Sequence, residues 1–158
     1  MDIVGEIFGT MYCWFENFFG LDLADYMWGD ILPFQSTSNM FVNVGWSMLA
    51  ISAFFFLLYY YIINHPRLDH WWAWMLFWLV NGVVNLIVGW SWTLSRLNSG
   101  DMDIIEPGTG NIVSPPIDEW NCLYFGFTNA ILSLGIMFLL SIAFKWWSKN
   151  CSRSPFIK

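Results

Sequence analysis

Three stretches carry an apolar pattern long enough to cross a bilayer, since about 30 Å of hydrocarbon at 1.5 Å per residue calls for roughly 20 residues. Residues 41–63 hold no charge, contain the run Phe54, Phe55, Phe56, Leu57, Leu58, and follow Ser36, Thr37, Ser38 and Asn39, all helix-capping residue types. Residues 71–94 are also uncharged and give way to Ser95, Arg96 and the turn-forming Asn98, Ser99 and Gly100. Residues 123–144 follow Asn121, a candidate cap, and close at Lys145. The pattern predicts an all-α integral membrane protein with three transmembrane helices, a loop over 95–122 and a basic tail over 145–158.

The first 33 residues read differently. Asp2, Glu6, Thr10, Cys13 and Asn17 recur at steps of three or four, leaving Ile3, Val4, Ile7, Phe8, Met11, Trp14, Phe15, Phe18 and Phe19 to the other faces. This predicts an amphipathic helix in the membrane interface, and its acidic stripe favours packing on protein over adhesion to anionic lipid. A span or re-entrant segment over 7–23 is the alternative, which would carry Glu16 internally. Asp22, Asp25 and Asp30 among Leu21, Leu23, Tyr26, Met27, Trp28 and Ile31 suggest a second short interfacial helix, broken off at Pro33. The chain thus divides into an interfacial segment, 1–33, and a three-span domain, 34–158. In the long loop, residues 102–106 and 111–114 flank Pro107, Gly108, Thr109 and Gly110, a β-hairpin signal.

Composition agrees with the spans. Of 158 residues, 57% are hydrophobic and 11% charged, against about 25% charged in soluble domains. The net charge of −6 argues against nucleic acid as a partner. Its distribution sets an orientation, because short loops rich in Lys and Arg stay in the cytoplasm. Arg67, Lys145, Lys149, Arg153 and Lys158 fall on one side with Asp69, while Arg96 stands against eleven acids on the other. The N-terminus is therefore expected outside an inner (plasma) membrane and the C-terminus inside. The twelve Trp fit interfacial belts. Tyr59, Tyr60, Tyr61, Trp71, Trp72, Trp74, Trp146 and Trp147 are assigned to the inner belt, and Trp46, Trp90, Trp92 and Trp120 to the outer.

No Asp, Glu, Lys, Arg or His falls within the three predicted spans, which speaks against proton-coupled transport and voltage sensing. The spans carry amides and hydroxyls instead. Asn43 and Ser47 share a face of the first, Asn81 and Asn85 share one of the second, and Asn129 lies with Thr128 and Ser133 on the third. They are read as interhelical hydrogen-bonding groups or, alternatively, as the lining of a conduit in an oligomer. Gly126 and Ala130 form a small-xxx-small pair suited to close helix contact.

Chemistry-bearing motifs are few. His65, Arg67, Asp69 and His70 match no metal-ligand spacing, and no phosphate loop or nucleophile elbow occurs. Cys13 and Cys122 fall on the oxidising side and are a candidate pair, whereas Cys151 falls inside. No cofactor or metal is implied, and no enzyme.

In size and Trp content the chain resembles the tryptophan-rich sensory protein family, although that family has five spans and its Pro- and Trp-rich signature segments are absent. In topology it resembles one class of phage holins. Neither resemblance rests on particular residues, and none is carried over. The expectation is a non-enzymatic membrane subunit whose partners are lipid and either further copies of itself or other subunits, acting as anchor, scaffold or pore. A membrane-permeabilising effector (holin, toxin or antiphage defence protein) and a small carrier or lipid-binding protein are the alternatives.

Overall fold

The computed structural model describes residues 3–29, 38–63, 71–105, 112–113 and 117–144. Trp146, Trp147, the His65–His70 loop, the hairpin turn and the basic tail lie outside them. In chain order the elements are α1 (Ile3–Cys13), α2 (Glu16–Phe19), α3 (Leu21–Trp28), α4 (Met40–Leu57), α5 (Trp71–Asn98), β1 (Ile104–Ile105), β2 (Ile112–Val113) and α6 (Glu119–Phe144). The strands pair antiparallel, with Ile104 opposite Val113 and Ile105 opposite Ile112.

Three helices, Met40–Ile62, Trp71–Asn98 and Glu119–Phe144, are long and apolar enough to cross a membrane. The first ends in a π turn over Leu58–Ile62, with the Ile63 N–H donating to the Leu58 carbonyl at 2.9 Å. The second runs one turn past its expected end at residue 94. Ser95–Asn98 stay helical, and reversal comes at Ser99 and at Gly100, whose φ is +78°. The third begins at Glu119, ahead of Asn121. Asn121 is thus no N-cap; its Oδ1 reaches back from the first turn to accept the Asp118 N–H at 3.2 Å, one half of a capping box.

α5 and α6 form the most extensive helix pair. Their contact stripes recur every three or four residues, Ala73, Trp74, Asn81, Gly82, Asn85, Gly89 and Thr93 on α5 against Cys122, Gly126, Asn129, Ala130, Ser133, Met137 and Ser141 on α6. Gly126 brings the backbones together: a Cβ there would meet the Leu86 carbonyl oxygen at 2.8 Å and Trp90 Cβ at 2.9 Å. Gly126 is therefore used inside the chain, between its own second and third long helices, and Ala130 one turn on is buried as well.

α1 packs along α4. Its contacts with α4 advance in step: Gly5 lies against Asn39 and Val42, Phe8 against Gly45, and Tyr12 against Met48. α1 therefore runs alongside the first half of α4 in the same direction. The chain turns at Trp14 and Phe15, and α2 returns along α6, where Phe18 meets Tyr124 and Phe19 meets Phe125. At Gly20, φ is +105° and a Cβ would collide with Asn121 Nδ2, so the hinge between α2 and α3 needs glycine. Together α1, α2 and α3 close one end of the bundle over Phe41, Val44, Phe125, Met102 and Ile117, where the larger hydrophobic core lies. The buried face of α1 is Gly5, Phe8, Gly9 and Tyr12, whereas Ile3, Ile7 and Trp14 remain exposed.

Candidate functional site: a buried polar ladder

Removing an amide from water into an apolar interior costs several kcal/mol unless it is hydrogen-bonded, so the Asn residues of the long helices must find partners. Three are placed at the α5–α6 seam. Asn129 Nδ2 donates to the Asn85 carbonyl at 2.7 Å, Asn85 Nδ2 donates to the Asn81 carbonyl at 3.0 Å and to Asn81 Oδ1 at 3.1 Å, and Asn81 Nδ2 donates to the Ser133 carbonyl at 3.3 Å. Asn81, Asn85, Asn129 and Ser133 are fully buried. The seam continues away from the capped end, where Trp78 Nε1 donates to the Leu134 carbonyl at 2.9 Å and Trp74 Nε1 to Ser141 Oγ at 3.3 Å. Toward the cap, Thr93 Oγ1 reaches the Cys122 carbonyl at 3.5 Å. A ladder of side-chain hydrogen bonds thus runs along most of the α5–α6 contact.

Tyr12 completes the ladder from outside the pair. Its ring is stacked between Phe41 and Phe125, with centroids at 5.2 and 5.3 Å, and its hydroxyl donates to Asn129 Oδ1 at 2.6 Å. Burial pushes its phenol above the ordinary range. Sequence reasoning missed this residue, because Tyr12 sits among apolar neighbours on no polar stripe. The usable signal was the spacing of Gly5, Phe8, Gly9 and Tyr12, a helix face built for close approach.

The other expected members lie elsewhere. Asn43 is exposed on the far side of α4, and Ser47 turns its hydroxyl to the Val44 carbonyl of its own helix at 2.8 Å. Both point away because α4 buries Met40, Phe41, Val44, Gly45, Met48, Ser52 and Phe56 instead. Thr128 is buried and donates to the Tyr124 carbonyl of its own helix at 3.1 Å. Among the described residues, Asn85 Oδ1 and Ser52 Oγ are buried without a hydrogen-bond partner.

Not all the aromatic anchors are at a surface. Trp46, Trp71, Trp72, Trp90 and Trp120 are exposed. Trp74 is buried in the seam, Trp92 is half-buried against the cap core, and Tyr59 and Tyr60 turn inward from the π turn. The Trp74 indole finds a polar partner there in the Ser141 hydroxyl, which competes with the headgroup level, whereas Trp92 Nε1 is buried without a hydrogen-bond partner.

The described residues hold no group of three or more His, Cys, Asp or Glu that could bind a metal. Cys13 and Cys122 are both free thiols. Burial, and then the adjacent Glu16 carboxylate, push the Cys13 thiol up, the opposite of what activates a nucleophile. No protein-family model, curated protein or solved structure matches the chain.

Proposed function

We propose that the chain is a non-enzymatic subunit of an inner-membrane assembly and serves as an anchor or scaffold, with the N-terminus and the α5–α6 connection on the outer side and the basic tail in the cytoplasm. The observation that carries this reading is the fate of the membrane-depth amides. Asn81, Asn85 and Asn129 are consumed within one chain, while large apolar side chains such as Leu57, Leu76, Val83, Ile87, Ile131 and Leu139 face outward. A conduit through an oligomer needs polar groups on the outside of the subunit, so the same placement counts against the pore reading. Asn43 and Ala50, exposed and seven residues apart on one side of α4 with Ser47 between, supply a polar and small-residue face where a second copy can meet the first. An interhelical amide hydrogen bond contributes about 0.6–2 kcal/mol in a membrane.

Native mass spectrometry of the detergent-solubilised protein tests this. The expected result is a homo-oligomer that Asn43→Leu weakens, or a stable complex with other membrane subunits. A partner-free monomer at all concentrations sinks the subunit reading, and collapse of the membrane potential on expression favours the permeabilising effector in its place.

A further inference from the structure

An open groove of about 320 Å³ runs between α1 and α4 and reaches α6. Val4, Ile7 and Met11 wall one side, Trp46 and Leu49 the other, and Ile136 closes its far end. Because α1 runs alongside α4, the groove follows a membrane-crossing helix, and it starts near the end of α4 that the cap covers. A bilayer offers no water to such a hollow, and a flexible hydrocarbon chain is the species at hand to fill it. The headgroup side is set by charge. No Lys or Arg occurs anywhere in residues 1–66, and Arg96, the one Lys or Arg among the described residues, is paired with Asp101 at 2.7 Å. Across the Ile7 and Met11 wall, Glu6 and Thr10 line an adjoining hollow. An anionic headgroup is repelled there by the Glu6 carboxylate, whereas an ammonium group is attracted to it.

We propose that this groove seats one acyl chain of a net-neutral phospholipid whose headgroup carries an ammonium group. The inference needs only the membrane location, so it stands apart from the subunit reading. The test is native mass spectrometry of the intact, delipidated protein titrated with phosphatidylethanolamine and with phosphatidylglycerol of the same acyl chains. One phosphatidylethanolamine is expected to survive gentle activation, bound at least about fivefold more tightly than phosphatidylglycerol. Leu49→Trp and Ile136→Trp, which fill the groove from different helices, are each expected to weaken it about tenfold. Val83→Trp, at an exposed site on α5, which does not line the groove, leaves it unchanged. Glu6→Gln brings the two lipids to parity. Should either filling variant keep its helical circular dichroism and bind as the native chain does, the groove is not the site. Equal or tighter binding of phosphatidylglycerol by the native chain overturns the headgroup assignment.

Discussion

The Tyr12 hydroxyl donates to Asn129 Oδ1 across 2.6 Å, joining two buried residues 117 positions apart. It links the cap to the α5–α6 seam, since Asn129 passes the contact on to Asn85 through its own amide.

Tyr12→Phe keeps the stacked ring and removes the donor, leaving a buried carbonyl oxygen unpaired. The expected cost is about 1–3 kcal/mol, read as a lower thermal unfolding midpoint in detergent. Tyr12→Ala also removes the ring from between Phe41 and Phe125 and should cost about 3–5 kcal/mol. Equal stability of the phenylalanine variant and the native chain would show that the hydrogen bond contributes nothing net.

The raised Tyr12 phenol gives a pH dependence of definite sign. An unfolded tyrosine loses its proton near pH 10, at about its ordinary value, while the folded chain holds on to it. The unfolded state then binds fewer protons, so the Tyr12 contribution is complete below about pH 10 and declines as pH rises further. Unfolding midpoints measured from about pH 8 to 11 should fall more steeply for the native chain than for Tyr12→Phe. Parallel profiles would contradict the assignment.

Two glycines of α6 should behave oppositely. A Cβ at Gly126 would press on the Leu86 carbonyl and Trp90, whereas at Gly135 it would meet nothing within 4 Å. Gly126→Ala is expected to destabilise by about 1–3 kcal/mol. Gly135→Ala should be neutral or stabilising by up to about 1 kcal/mol through helix propensity alone. The same thermal assay separates them.

Asn121 Nδ2 donates to the Phe19 carbonyl at 2.8 Å, holding the end of α2 against the start of α6. Asn121→Ala should speed amide hydrogen exchange across α1–α3 several-fold and leave the α5–α6 seam protected, because local opening follows local contacts. Uniform acceleration along the chain would mean that the cap and the bundle open as one unit.

The three long helices were legible because charge-free apolar runs of that length have few other uses. Their inward faces were far less so. In water a hydrophobic stripe marks the buried side, but a helix surrounded by lipid is apolar all round, and the informative residues become the small and polar ones. That logic found Asn81, Asn85, Asn129, Gly126 and Ala130, and it placed Asn43 among them although it faces outward. Trp74, Tyr59 and Tyr60 were assigned to a belt because an amphipathic ring serves equally at a headgroup or in a hydrogen-bonded seam. α1 was hardest: its packing face alternates glycine with aromatic residues, and the hydrophobic pattern gives most weight to Ile3 and Ile7, which stay exposed.

The Tyr12–Asn129 contact also constrains the order of biogenesis. A ribosome makes Tyr12 long before Asn129, so the cap has no seat on the seam until the last long helix has been delivered to the bilayer. α5, whose Asn81 side chain and Asn85 carbonyl draw on α6 for partners, is likewise incomplete until that moment. α1 can meet α4 early, but its docking is complete only once α6 has arrived, and α6 is the step on which the rest of the maturation waits.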